Sequence, residues 1–123
     1  MAVGEYLRAA AGQLRRAAIA AKSEADDIRR DIVLREQDVN KTIDSLRRNM
    51  QQRGQELFRI EGNDSSGLKA DITGAIAAME QEIKTLQQSF ERERQQMLRV
   101  AQQKETTMNN LNSQANSFEN QAG

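Results

Sequence analysis

Arg35, Glu36, Glu93 and Arg94 interrupt two stretches of helical apolar spacing, and a carboxylate pair such as Glu36 and Glu93 is raw material for general acid–base chemistry. Catalytic carboxylates need surroundings that push their two pKa values apart, which means a pocket that desolvates one of them. A two-helix rod offers no such pocket. The four residues are instead expected to pair crosswise as a buried or half-buried polar layer that fixes register and antiparallel orientation. A second group, Glu61, Asn63, Asp64, Ser65 and Asp71, has the oxygen-rich composition of a calcium loop. Its ligands do not fall at alternate positions, and its glycine and final carboxylate are misplaced for an EF-hand. The same stretch lacks the Gly-x-x-x-x-Gly-Lys-Ser/Thr spacing of a phosphate loop and has no preceding strand. With no cysteine and no histidine in the chain, thiolate chemistry, disulfides, the usual zinc sites and imidazole catalysis are all excluded. The sequence thus predicts a protein that is not an enzyme and has no cofactor and no metal.

The elements that position these residues are two helices. The 123 residues include no proline and are crowded with Ala, Leu, Met, Gln, Glu and Arg, so helix propensity is high nearly everywhere. Only Gly62-Asn63-Asp64-Ser65-Ser66-Gly67 looks like a turn: Gly62 can stop one helix in the left-handed conformation, and Asn63, Asp64, Ser65 or Ser66 can cap the next. A fold-back at this turn would oppose residues whose numbers add to a constant, and the apolar positions do so at 128 or 129. Leu57 faces Ile72, Met50 faces Met79, Leu46 faces Ile83 and Val39 faces Phe90; further out, Ile32 faces Met97, Ile28 faces Val100, Ala18 faces Leu111 and Leu14 faces Ala115. Independent helices have no reason to keep such a phase. The predicted fold is all-α, a long antiparallel two-helix coiled-coil hairpin, with helix 1 over about 5–61, the turn at 62–67 and helix 2 over about 68–121.

Along helix 1, residues 6–25 are rich in alanine, and Arg8, Arg15, Arg16 and Lys22 outnumber Glu5 and Glu24. A membrane-surface helix or a transit peptide has this composition, but the seam residues Leu7, Ala11, Leu14, Ala18 and Ala21 are needed to cover helix 2. The apolar step from Ile28 through Ile32 to Val39 spans eleven residues, the length of a stutter that relaxes supercoiling. Near the turn, Gly54 mirrors Ala75 and Gln55 mirrors Gly74; the two glycines either form a soft joint or make room for Arg53, placed on the seam opposite Ile76. After Thr106 the charge nearly vanishes, yet the apolar spacing of four and three continues to Ala122, so the helix is expected to run on.

Ile19, Val33, Leu34, Phe58 and Leu98 lie off the seam, and they are the candidate partner-binding residues. A two-helix hairpin buries one stripe per helix and gains from further helices, so the expected partners are a second copy, as a dimer or four-helix bundle, or another helical protein. No nucleic acid is expected: Arg15-Arg16, Arg29-Arg30 and Arg47-Arg48 could follow phosphates, but net charge is zero and stacking aromatics are nearly absent. No apolar run reaches the roughly 20 residues of a membrane span, and the N-terminus lacks a signal-like apolar core, so the chain is expected to be cytoplasmic, or exported without a cleavable signal. In architecture it resembles the small secreted hairpins of the type VII system, whose Trp-x-Gly turn it lacks, and the coiled-coil stalk and export-chaperone proteins of type III and flagellar secretion. The predicted function is that of a structural, assembly or adaptor component acting through protein–protein contacts. The alternative is membrane-surface or nucleic-acid binding through the basic part of helix 1.

Overall fold

The computed structural model describes residues 2–60 and 67–123, and its elements are α1 (Val3–Ile60) and α2 (Leu68–Ala122), with no strand among the described residues. The fold class is an all-α helical hairpin. At the start of α1 the Glu5 amide donates to the Ala2 carbonyl at 3.1 Å, and the Glu5 carboxylate lies in the first turn, where the helix dipole favours it. Gly67 begins α2: its φ of +75° is a left-handed value suited to glycine, and its carbonyl accepts the Asp71 amide at 3.3 Å, the first bond of the helix. Glu61, Gly62, Asn63, Asp64, Ser65 and Ser66, to which the sequence assigns the turn, lie outside the described residues.

The chain divides into two compact units, each built from both helices: residues 1–33 with 94–123, and residues 34–93. In unit 1 the helices run antiparallel, since the partners of Arg15 and Arg29 on α2 descend from Glu119 to Glu105. Its core is made mostly of alanine. Ala11, Ala18, Ala21, Ala25 and Ile32 of α1 are buried with Ala101 and Ala115 of α2, and Leu7, Leu14, Met108, Leu111 and Phe118 are half-buried at their edges. Ala11, Ala18, Ala25 and Ile32 recur every seven residues, and Gly4 precedes them in the same phase. Small side chains let two backbones approach closely: a Cβ on Gly4 would sit 3.2 Å from the Ala122 carbonyl oxygen.

One expected contact changes here. Val100 is 42% exposed, whereas Ala101 is fully buried, so Ala101 and not Val100 stands opposite Ile28 and Ala25. Adding the residue numbers of Ile28 and Ala101 gives 129, so the mirror rule survives. What fails is the preference for the larger apolar residue: Ala101, not Val100, continues the steps of four and three through Met97, Lys104, Met108, Leu111 and Ala115.

Unit 2 has a seam of larger residues. Ile43, Ile72 and Ile83 are buried, and Val39, Leu46, Met50, Leu57, Ile60, Ile76, Met79, Leu86 and Phe90 are half-buried. Arg53 does not hold the seam position expected of it. It is exposed and paired with Glu56 one turn on, at 3.1 Å, while Gly54 is the half-buried residue.

Replacing Ala101 by leucine should therefore cost about 1–3 kcal/mol through overpacking, whereas Val100→Ala should change stability by under about 0.5 kcal/mol. Urea unfolding followed by circular dichroism measures both, and equal effects would return Val100 to the seam.

Candidate functional site

Of the four polar residues expected as a buried or half-buried layer, Glu93 and Arg94 are half-buried, and Arg35 and Glu36 are exposed. No polar or charged residue is buried among the described ones. In unit 2 the Arg35 guanidinium pairs with the Glu93 carboxylate, the former side chain 54% and the latter 41% exposed, and Glu36 is exposed beside them. Arg94 belongs to unit 1, where it is half-buried. Arg35 is long enough to reach α2 while its stem lies along the helix, so the pair forms at the seam's edge without desolvating either charge.

Unit 1 holds several cross-helix charge pairs. Arg15 holds Glu119 by two bonds, Nε to Oε1 at 2.7 Å and Nη2 to Oε2 at 3.0 Å, and donates from the same Nη2 to the Asn116 amide oxygen at 2.6 Å. Lys104 Nζ lies 2.7 Å from Glu24 Oε2, and Arg29 pairs with Glu105. At the end of the unit Arg8 points Nη2 at the Ala122 carbonyl, at 3.5 Å, where the negative end of the α2 dipole favours a cation. The arginines that could track phosphates are thus partly engaged within the hairpin: Arg15 by Glu119, Arg29 by Glu105, Arg30 by Asp27 and Arg48 by the Ser45 hydroxyl. Each doublet has at least one member holding its own fold. Exposed threonines also turn inward, Thr42, Thr73, Thr85 and Thr107 each donating to the carbonyl four residues back.

The off-seam apolar residues stand as follows. Ile19 and Val33 are exposed on unit 1, fourteen positions apart and so on one face of α1; Leu34 and Phe58 are exposed on unit 2, Phe58 at 78%. Leu98, on unit 1, is only half-buried, and so is partly engaged already. Val3 and Leu68, each at a helix end and outside the sequence-based candidates, are exposed too. Asp71 is the one member of the oxygen-rich group that is described, and it is exposed; among the described residues no cluster of acidic side chains could hold a metal ion. Nor is any described helix long and apolar enough to cross a membrane. Compared with protein-family models, curated proteins and solved structures, the chain matches none.

The Arg15 bond holds the Glu119 carboxyl below its ordinary range, and the carboxylate raises Arg15 in turn. Because the folded-state value of Glu119 is depressed, its contribution to stability is complete above the unfolded carboxylate value, about 4.3, and is lost as pH falls through the lowered folded value. Wild type should melt above Glu119→Gln at neutral pH, and the gap between them should close in acid. Thermal melts from pH 7 to pH 2 measure it; a gap independent of pH would mean that the pair does not titrate with folding.

Proposed function

We propose that this protein acts through protein–protein contacts, as a structural, assembly or adaptor component, with association between copies as its first mode. The observation that carries the reading is the exposure of large apolar side chains away from the seam, Ile19 and Val33 on unit 1 and Leu34 and Phe58 on unit 2. Single exposed apolar residues are ordinary on any surface. Ile19 and Val33 are different because they occupy the same heptad position, so a neighbouring helix laid along that face would cover both. A helix pair leaves most of each helix's circumference to solvent, and a third and fourth helix are the usual way to cover it.

The alternative, membrane-surface or nucleic-acid binding through the basic part of α1, has less to rest on. Of its four cations, Arg15 is held by Glu119 and Arg8 is directed at the Ala122 carbonyl. A phosphate would have to compete with those contacts, and Arg16 and Lys22 alone make a small electrostatic footprint.

Sedimentation velocity over a range of concentrations tests the proposal. Wild type should sediment as a dimer or tetramer, and Ile19→Glu with Val33→Glu should reduce it to monomer while the helical circular dichroism is retained. A monomeric wild type, or a double variant of unchanged mass, would overturn association through this face.

A further inference from the structure

Methionine carries all the sulfur in this chain, which has five methionines and no cysteine. Four of the five, Met50, Met79, Met97 and Met108, are half-buried along the seam. In unit 2 two of them share a layer: Met50 of α1 and Met79 of α2 hold mirror positions, and the next layer pairs Leu46 with the buried Ile83. A hollow of about 290 Å³ opens beside Met79, and Asn49, Gln52, Arg53 and Glu56 of α1 complete its wall. Those four polar residues stand at i, i+3, i+4 and i+7, one face of one helix, and Met79 brings the wall's apolar side chain across from α2. The hollow is far larger than the roughly 30 Å³ that a water molecule occupies in the liquid. Hydrogen peroxide, little bigger than water, therefore reaches Met79 without displacing a side chain.

We propose that Met79 is a modification site, a thioether that hydrogen peroxide oxidises to the sulfoxide ahead of the other seam methionines, and that this oxidation loosens unit 2. A sulfur lone pair attacks one peroxide oxygen, and the S–O bond forms as the O–O bond breaks. The departing hydroxide takes the proton left on the transferred oxygen and leaves as water. Sulfur gives up an electron pair and peroxide accepts it, so no further reactant is needed. Negative charge builds on the departing oxygen, and N–H donors beside developing charge favour such a step. Asn49, Gln52 and Arg53 bring donors to the hollow, and the Arg53 guanidinium also neutralises Glu56 through its Nη1 bond at 3.1 Å. The product is a polar side chain where methionine was apolar. Facing Met50, its S–O group enters a seam in which no polar residue is buried among the described ones; facing the hollow, it draws Met79 out of its layer. In both positions the layer loses apolar contact between α1 and α2. This goes beyond the association proposed above, which rests on exposed side chains rather than on the seam.

Hydrogen peroxide itself is the probe. The full chain is treated with it in native buffer and again in concentrated urea, and peptide mass spectrometry times sulfoxide formation at each methionine. In the native state Met79 should oxidise about fivefold faster than Met50, Met97 and Met108, since susceptibility follows access, and the four rates should converge in urea. Urea unfolding of the oxidised protein, followed by circular dichroism, should show an unfolding equilibrium constant raised about fivefold or more. Met79→Leu should remove that peroxide effect, because leucine fills the seam position at similar volume without a sulfur, and Met50→Leu should leave it in place. Equal native rates, or a Met79 lead that persists in urea, would overturn the site. Peroxide sensitivity that survives Met79→Leu would overturn its effect on the fold.

Discussion

A helix of more than fifty residues with a single apolar stripe is stable in water only if that stripe is covered, and in each unit the two helices cover one another's stripe. Every other feature answers to that constraint. The stripe must keep one phase along the whole helix, which is why apolar residues recur at steps of three and four from Leu7 onward and why their mirror numbers stay constant. It must also be apolar throughout its depth, and no polar residue is buried among the described ones. Charged side chains flank it, and those paired across the helices keep 40–55% of their side-chain surface exposed.

The two units meet the constraint differently. Unit 1 lines its seam with alanine and brings the helices close, so flanking side chains of ordinary length meet: Arg15 with Glu119, Glu24 with Lys104, Arg29 with Glu105. Unit 2 uses isoleucine, leucine and methionine, and one cross-helix ion pair, Arg35 with Glu93, is seen among its described residues. An ion pair across a seam needs side chains that can reach between the helices as well as opposite charges. Arg53 shows the converse, because with Gly54 facing α2 it finds Glu56 on its own helix.

Much of the fold was legible in the sequence because period and register are written in residue numbers. Helix extents, the antiparallel pairing and most seam residues follow from the spacing of Leu, Ile and Met. Two kinds of information were not written there. Hydrophobicity ranks valine above alanine, so Val100 looked like the core residue; the phase of α2 at that height favours the next position, and Ala101 takes it. Long polar side chains choose among several partners, so the pairing of Arg35 with Glu93 could be expected from opposed charges while the inward or outward lie of Arg53 could not. In the candidate site the exposure of Ile19, Val33, Leu34 and Phe58 followed from phase alone. Leu98 departs from it, being half-buried like the neighbouring Met97.

Magnitudes decide what holds unit 1 together. Each alanine where unit 2 has isoleucine forgoes three buried carbons, roughly 2.4 kcal/mol at about 0.8 kcal/mol per methylene. Exposed ion pairs such as Glu24 with Lys104 and Arg29 with Glu105 return at most about 1 kcal/mol each. They cannot replace the lost burial at Ala11, Ala18, Ala21, Ala25, Ala101 and Ala115. Two other contributions remain. Alanine is the best helix former, better than isoleucine by about 0.4 kcal/mol per residue, and it loses no side-chain entropy on burial. Close approach also brings backbone atoms of one helix against the other at Gly4 and Ala122, and gains dispersion there. Unit 1 is therefore stabilised by the helices themselves and by how near they lie, which makes it sensitive to side-chain size at the seam and comparatively indifferent to charge at its edges.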